Sequence, residues 1–244
     1  MKKINTILFD LDGTLLSMDT DAFTKRYFKE LAIKLSDYLT PDEVTKNIWN
    51  STMYMINNVD VEKTNEEAFF EDFYKNVKHK KEVLNPILDD FYDKDFDKIK
   101  DVSKRNEDIV KAISLLKEKG YDLVVATNPL FPKKAVLDRI NWAGLDYNDF
   151  IFITNFEEMH YCKPNLDFYR EVLKKINKDP SSCLMVGNDI KEDMIAKEIG
   201  IRTYLINDFL IGYIEENKNI DYKGDYTDFY KFVKDFPNLN IQLE

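Results

Sequence analysis

Two aspartates, Asp10 and Asp12, stand two residues apart directly after a short apolar run at positions 6–9. The run predicts a buried strand, and residues two apart on a strand point to the same side. Carboxylates that close repel each other unless a cation or a proton offsets their charge. Gly13 and Thr14 then allow the chain to turn sharply. The spacing indicates a site that works with a metal ion.

Taken alone, this stretch is also compatible with a plain turn or with a calcium-binding loop. Asp and Gly are ordinary turn residues, so an Asp-x-Asp-Gly run can simply end a strand. A calcium-binding loop spreads its oxygen ligands over roughly twelve residues between two helices. Here the aspartates follow a predicted strand and the later ligand positions are absent. The choice between a turn and a catalytic site therefore depends on the rest of the chain.

Beyond residue 105, short apolar strands alternate with amphipathic helices. We expect strands at 121–126, 150–153, 183–186 and 203–206, and helices at 107–119, 132–142, 166–176, 191–199 and 225–236. The alternation predicts an α/β fold, a doubly wound Rossmann-like parallel sheet with helices on both faces. Ligands of such sheets bind outside the carboxyl ends of the strands. Polar residues follow three of these ends: Asp10 and Asp12, Thr127 and Asn128, Asn188 and Asp189.

Between the first strand and this region lies a long helical segment. From about residue 19 to residue 104 there is no convincing strand and no glycine, and apolar residues recur at helical spacing. Thr40, Pro41 and Glu43 form a typical helix start, with a capping residue, a proline and an acidic residue. We predict about four helices in a separate, all-helical bundle. The acidic run from Asp89 to Asp97 is typical of a solvated helix face rather than a metal site.

The composition narrows the classes of function. The chain has 244 residues, 44% of them hydrophobic, and a formal net charge of −10. This charge disfavours nucleic acid and anionic membranes, which bind clustered Lys and Arg. Cys162 and Cys183 have no paired spacing, so neither a disulfide framework nor a zinc cluster is indicated. His79 and His160 are expected to be ordinary surface residues, which leaves the chemistry to carboxylates. No stretch has the roughly 20 apolar residues of a membrane span, and we expect a soluble, cytoplasmic protein.

Four short motifs occur in a fixed order along the chain. They are Asp10-Leu11-Asp12-Gly13-Thr14, Thr127-Asn128, Lys163-Pro164, and Gly187-Asn188-Asp189 followed by Asp193. In this order the chain resembles the haloacid dehalogenase-like (HAD) hydrolase superfamily. The resemblance covers residues 1–16 and 105–244, which we predict to be a discontinuous α/β core. Residues 17–104 resemble the helical cap domain of that superfamily.

The resemblance implies a role for each motif. Asp10 would attack phosphorus and form an aspartyl-phosphate, and Asp12 would protonate the leaving oxygen and then activate water. Mg²⁺ would be held by the Asp10 carboxylate, the Asp12 carbonyl and an acidic residue of the last motif. Thr127 would bind a phosphoryl oxygen together with backbone amides such as that of Asn128. Lys163 would supply a fixed positive charge to the nucleophile and the phosphoryl group.

The last motif departs from the family pattern. In the family the last motif usually begins Gly-Asp, whereas in this chain Gly187 is followed by Asn188 and then Asp189. We prefer Asp189 as the metal ligand because a charged oxygen binds a hard cation better, with Asn188 as the alternative. Asp193 is then expected to support the ligands, bonded to Lys163. The alternative for Asp193 is that it only favours the start of the next helix.

Asp12 also indicates which reaction is catalysed. Dehalogenation needs no acid at that position, so a carboxylate there favours phosphoryl transfer. The resemblance implies a Mg²⁺-dependent phosphatase for a small phosphorylated metabolite, in a monomer or small homo-oligomer. A phosphosugar mutase and a binding or regulatory protein that has lost turnover stay as alternatives. Most cap aromatics are expected to pack in its core and a few to face the cleft: Tyr27, Phe28, Trp49, Tyr54, Phe69 and Phe73.

Overall fold

The computed structural model describes residues 4–214 and 218–241. Eight strands are found among these residues, and most of them belong to one sheet. The strands are β1 (Thr6–Phe9), β2 (Ser17–Met18), β3 (Ser103–Lys104), β4 (Asp122–Val125), β5 (Phe152–Ile153), β6 (Cys183–Gly187), β7 (Arg202–Ile206) and β8 (Tyr222–Gly224).

The α-helices occupy two regions, one before and one after residue 105. They are α1 (Thr20–Lys34), α2 (Pro41–Ile56), α3 (Asn65–Asn76), α4 (Lys81–Asp90), α5 (Glu107–Glu118), α6 (Lys133–Trp142), α7 (Leu166–Ile176) and α8 (Tyr226–Lys234). No helix in the described part of the chain is both long and apolar enough to cross a bilayer.

The main sheet has β1 at its centre. Within the described ranges six strands pair in parallel in the order β5-β4-β1-β6-β7-β8, which confirms the predicted Rossmann-like α/β fold. Phe9 at the end of β1 is level with Val125 of β4 and Val186 of β6. The residues that follow these three strands therefore emerge side by side at one edge of the sheet.

Successive side chains of a strand point to opposite faces of the sheet. Because the side chains on both faces are apolar here, helices pack against both faces. Ile7 and Phe9 pack in one cluster with apolar residues of α5 and α8, whereas Leu8 packs in another with α7. All four residues of β1 are buried. The strand that carries the two aspartates is thus held from both faces and from both sides.

Two parts of the α/β region differ from the sequence prediction. The strand β8 is not predicted, because Tyr222 and Lys223 are exposed and no buried run marks it. The predicted helix at 191–199 is only a 3₁₀ helix, Met194–Ile199. The carboxylates of Asp189 and Asp193 instead accept backbone amides within the preceding turn, which delays the start of the helix.

The segment between β2 and β3 is helical. It contains α1 to α4, then a π-helical turn at Phe91–Asp95 and a 3₁₀ helix at Phe96–Val102. The expectation of no strand in this segment is wrong at its end, because β2 and β3 form an antiparallel ladder that pairs Met18 with Ser103. Two-residue strands are too short to give a period-two pattern. The division into a core and a cap domain stays a prediction.

The acidic run that begins at the end of α4 forms ion pairs. Lys34 bonds both Asp90 and Asp95, and Asp93 pairs with Lys134 of α6. These contacts tie the end of the helical segment to α1 and to the α/β region.

Candidate active site

The turn after β1 places Asp10 and Asp12 at the edge of the sheet. The backbone amide of Asp10 donates to the Val186 carbonyl of β6 at 2.9 Å, and the amides of Gly13 and Leu16 close the turn. Gly13 has a φ of +84°, and a Cβ at this position would overlap the Asn188 side chain. Glycine is therefore required here for two reasons, the left-handed backbone and the close approach of the last motif.

Lys163 lies at the centre of the site. Its side chain is fully buried, and its Nζ donates to Asp10 Oδ1 at 3.0 Å and to Asp193 Oδ1 at 2.6 Å. Burial alone would lower the pKa of Lys163, but the carboxylates of Asp10 and Asp193 outweigh it and raise the pKa well above its usual value. The Lys163 side chain is thus held as an ammonium between Asp10 and Asp193.

Asp193 binds the last motif to Lys163. Its second oxygen, Oδ2, accepts the backbone amide of Asp189 at 2.9 Å. A Cβ on Gly187 would overlap this carboxylate, so only glycine at the end of β6 leaves room for it. The predicted hydrogen bond between Asp193 and Lys163 is present, and Asp193 also accepts from the backbone in the manner of a turn residue.

Asn188 and Asp189 differ in what they contact. Asn188 Oδ1 accepts from the Thr14 hydroxyl at 3.0 Å, and its Nδ2 donates to the Phe209 carbonyl at 2.7 Å. Both ends of this amide therefore serve to join the first and last motifs. Asp189 Oδ1 accepts the backbone amides of Lys191 and Glu192. None of the residues described by the structure donates a hydrogen bond to Oδ2 of Asp189.

Thr127 and Asn128 follow β4 beside the same turn. Thr127 is 3% exposed, and its carbonyl accepts from the Thr154 hydroxyl at 2.7 Å. Asn128 Oδ1 accepts the backbone amide of Lys163 at 3.1 Å, and its Nδ2 donates to Glu192 at 3.0 Å. The Asn128 side chain thus positions the loop that carries Lys163.

Glu192 is a member of the site that the sequence does not single out. Its burial raises the pKa of the carboxyl to about 7, partly opposed by Lys163. It stands in the acidic stretch between Asp189 and Asp193, and residue type alone does not distinguish it from a solvated neighbour. Its contact with Asn128 could only be found from the fold.

Arg139 is a second member of the site that the sequence motifs do not include. It lies on α6, is 1% exposed, and forms an ion pair with Asp12 through Nη1. Its guanidinium carbon is 4.6 Å from the centre of the Phe131 ring and 5.7 Å from that of Phe23. A signal was available: Arg139 stands on the apolar stripe of α6, four residues after the buried Ala135.

The pair of Asp12 and Arg139 is incompletely satisfied. Oδ1 of Asp12 and Nη2 of Arg139 are buried, and neither has a hydrogen-bond partner within the described ranges. Burial raises the pKa of Asp12, and Arg139 opposes this shift. Arg139 therefore engages Oδ2 of Asp12, while Oδ1 stays buried and unpaired among the described residues.

The residues that follow β1, β4 and β6 open onto one cavity of about 840 Å³, whose lining does not include Lys163 or Arg139. Its floor includes Asp10, Asp12, Thr127 and Asp189. Its remaining wall is formed by the helical segment together with residues 130–132, 134 and 156–157 of the α/β region, and it includes four of the six aromatic residues named from the sequence. Phe73 is buried away from it and Tyr54 lies outside it, whereas Tyr27, Phe28, Trp49 and Phe69 line it.

The floor of the cavity presents oxygen atoms that suit a hard divalent cation as ligands. Mg²⁺ is commonly bound by one or two carboxylates, with waters and substrate phosphate completing its octahedron. The Asp10 carboxylate, the Asp12 carbonyl and Oδ2 of Asp189 are donors of this type. Among the described residues there is no ready-made group of three or more acidic, His or Cys ligands.

Comparison with known proteins gives a consistent result. A family model described as haloacid dehalogenase-like hydrolase matches residues 4–200. Pyrophosphatase PpaX of Bacillus mycoides is 22% identical over 227 residues, which are 92% of each chain. A HAD phosphatase of Thermococcus onnurineus has a TM-score of 0.59 at 18% identity, covering 97% of this chain and 100% of that chain.

A second solved structure adds a bound metal to the comparison. The HAD-hydrolase YfnB of Bacillus subtilis, whose structure is bound to magnesium, has a TM-score of 0.56 at 19% identity. The match covers 95% of this chain and 99% of that chain. At these identities the two structures show a shared fold.

Proposed function

The chain belongs to the haloacid dehalogenase-like hydrolases, and on that premise we propose that it is a Mg²⁺-dependent phosphatase. The substrate is a small phosphomonoester, hydrolysed through an aspartyl-phosphate. One observation carries the proposal: the Asp10 carboxylate, bonded to a buried lysine at 3.0 Å, faces a cavity that Asp12 also lines. A positioned carboxylate nucleophile beside a second carboxylate is what this two-step reaction needs.

The two aspartates divide the chemistry between them. An oxygen of Asp10 bonds to phosphorus while the ester P–O bond breaks, and protonated Asp12 transfers its proton to the leaving oxygen. Asp12, now a carboxylate, accepts a proton from water as that water attacks phosphorus. The bond between Asp10 and phosphorus then breaks and inorganic phosphate leaves. The complete cycle therefore consumes one ester and one water and yields one alcohol and one phosphate.

The other motif residues stabilise charge. Lys163 orients Asp10 and offsets the negative charge of the transferring group, since its ammonium is fixed between Asp10 and Asp193. Thr127 and the backbone at Asn128 bind phosphoryl oxygens from the neighbouring strand end. The position of Thr127 in the floor of the cavity supports this role.

We assign the metal site to the carboxylates of Asp10 and Asp189 and the carbonyl of Asp12. Bound Mg²⁺ would reduce the repulsion between phosphate and nucleophile and polarise a phosphoryl oxygen. The engagement of both ends of the Asn188 amide with Thr14 and Phe209 favours Asp189 over Asn188 as the ligand.

The predicted domain division belongs to the same proposal. Residues 17–104 would form a cap over a core of residues 1–16 and 105–244. The β2–β3 ladder supports this boundary because it joins the two ends of the helical segment. A cap that excludes water from the floor favours a small substrate over a macromolecule. Cytoplasmic location and a monomeric or small homo-oligomeric state stay expectations.

The proposal is tested with p-nitrophenyl phosphate. We expect Mg²⁺-dependent hydrolysis that stops with EDTA and returns with added Mg²⁺. Asp10→Asn should lower kcat by about a thousandfold or more, since it removes the nucleophile. Asp37→Asn is the matched control, because Asp37 is exposed between α1 and α2, and it should keep wild-type rates. A folded wild-type protein that hydrolyses no phosphate ester with Mg²⁺ present would refute the proposal.

A further inference from the structure

The wall of the cavity that faces the catalytic carboxylates is aromatic. Rings from α1, α2, α3, the turn after α4 and the loop before α6 line it, and they include Phe28, Trp49, Phe70, Tyr92 and Phe131. The cavity volume of about 840 Å³ lies in the range of pockets that hold ligands much larger than a phosphate group. The space beyond the phosphate position is therefore large, and its walls are flat apolar rings.

The same wall is negatively charged. It carries the carboxylates of Asp21, Glu66, Asp89 and Glu157. Burial raises the pKa of Glu66, and the nearby Glu157 carboxylate raises it further. These two acidic side chains are therefore close enough to repel each other. Like charges of this kind repel any anion that approaches them.

Positive charge on this wall is already neutralised. Among the described residues that line the cavity, Lys134 is the one Lys or Arg, and its ammonium is paired with Asp93. Arg139 lies behind the wall and is paired with Asp12. A carboxylate or a second phosphate on the leaving group would therefore meet acidic neighbours and no free cation within the described part of the cavity.

From the rings and the charges together we propose a substrate class for this site. The leaving group is an aromatic alcohol or phenol that carries no second anionic group. The inference rests on the proposed phosphatase function and deepens it. Ring stacking on the wall supplies affinity, and the acids exclude competing anions. The expected substrate thus differs from pyrophosphate, which the name of the Bacillus mycoides relative specifies.

The test compares substrates that differ in one charge. Phenyl phosphate, 4-(hydroxymethyl)phenyl phosphate and 4-carboxyphenyl phosphate have similar shapes, and only the last adds an anion. With Mg²⁺ present we expect kcat/KM to be at least about tenfold lower for the carboxylate than for the other two. Phosphoglycolate and pyrophosphate, which add an anion without a ring, should be poorer than phenyl phosphate.

Two exposed positions allow the wall to be changed without disturbing the core. Asp89→Lys should reduce the discrimination against 4-carboxyphenyl phosphate by about threefold or more, because it replaces repulsion by attraction. Asp37→Lys makes the same change of charge away from the cavity and should leave the ratio unchanged. Trp49, which is 55% exposed, supplies a ring, so Trp49→Ala should raise KM for phenyl phosphate more than for pyrophosphate.

The outcomes separate this inference from the function on which it rests. If the wild type hydrolyses these esters but prefers 4-carboxyphenyl phosphate, phosphoglycolate or pyrophosphate, the substrate class is wrong and the phosphatase stands. Equal kcat/KM values for the three aryl phosphates would also overturn it, as would equal effects of Asp89→Lys and Asp37→Lys. If no ester is hydrolysed, the phosphatase proposal and the inference both fail.

Discussion

At the residue scale, two buried cationic side chains offset the repulsion between the closely spaced carboxylates of the site. Lys163 pairs with Asp10 and Asp193, and Arg139 pairs with Asp12. Each aspartate of the first motif thus has its own counter-charge, delivered by a different part of the chain. The two pairs also separate the aspartates in role, because Lys163 holds the nucleophile while Arg139 holds the acid and base.

Arg139→Met tests whether Arg139 positions Asp12. The variant keeps the apolar volume of the side chain but leaves a largely buried carboxylate without its partner, which should cost about 1–3 kcal/mol in the free energy of unfolding. We expect kcat for p-nitrophenyl phosphate to fall about tenfold or more, with KM changed less than kcat. Arg139→Lys should recover part of kcat, since it restores the charge without the second nitrogen. Urea unfolding and steady-state kinetics measure the two effects.

A double-mutant cycle separates this pairing from simple packing. If the ion pair matters, Arg139→Met should cost less stability in the Asp12→Asn background than in the wild type, by about 1 kcal/mol or more. Additive losses would mean that Arg139 acts only through its contacts with Phe23 and Phe131. In that case kcat should also be insensitive to the Lys substitution.

At the element scale, helix starts in this chain are set by local side chains. Thr40 accepts the backbone amide of Glu43, and Glu43 accepts that of Thr40 at 2.9 Å, so a complete capping box begins α2. Thr64 and Glu67 repeat the arrangement at α3. These two helices carry Trp49 and Phe70 to the cavity, so their start points determine where the aromatic wall lies.

Thr40→Ala should lower the free energy of unfolding by about 1 kcal/mol, because it removes the cap of α2. Thr45→Ala is the matched control, because Thr45 lies on the same helix and is also exposed. Its hydroxyl donates to the Pro41 carbonyl one turn back and caps no helix start. That change should be neutral or slightly stabilising, since alanine favours helix. Urea unfolding measures the free energy of unfolding of both variants. Equal decreases in the two variants would contradict the assigned role of Thr40 as a cap.

Elements with a local signal could be predicted from the sequence, and elements without one could not. The capping residues of α2 predicted its start at Pro41, and buried apolar runs predicted β1, β4 and β6. The strand β8 gave no such run, because two of its three residues are exposed and it forms only by pairing with β7. The ladder of β2 and β3 joins residues far apart along the chain, and local patterns contain no information on such a pairing.

At the scale of the whole molecule, the parallel sheet explains why the candidate site could be predicted at all. Because β1, β4 and β6 run in register, polar residues after each strand meet at one edge. Asp10, Thr127 and Asp189 could therefore be grouped from the sequence alone. Glu192 could not, and for Arg139 the apolar stripe of α6 indicates burial but not its pairing with Asp12, because the orientation of a helix or turn is a tertiary property.

The excess of negative charge at this edge predicts that Mg²⁺ stabilises the whole fold. A cation that binds only the native state at a hundred times its Kd adds about 2.7 kcal/mol to the free energy of unfolding, which is a rise of several degrees in Tm. Calorimetry with MgCl₂ against NaCl of equal ionic strength measures this increment in Tm.

Two variants then identify the metal ligand. Asp189→Asn should remove the increment. Asn188→Ala should lower the starting Tm, because it cuts the contacts with Thr14 and Phe209, and should keep the increment. The reverse pattern would assign the metal to Asn188, and an unchanged increment in both variants would place the cation elsewhere.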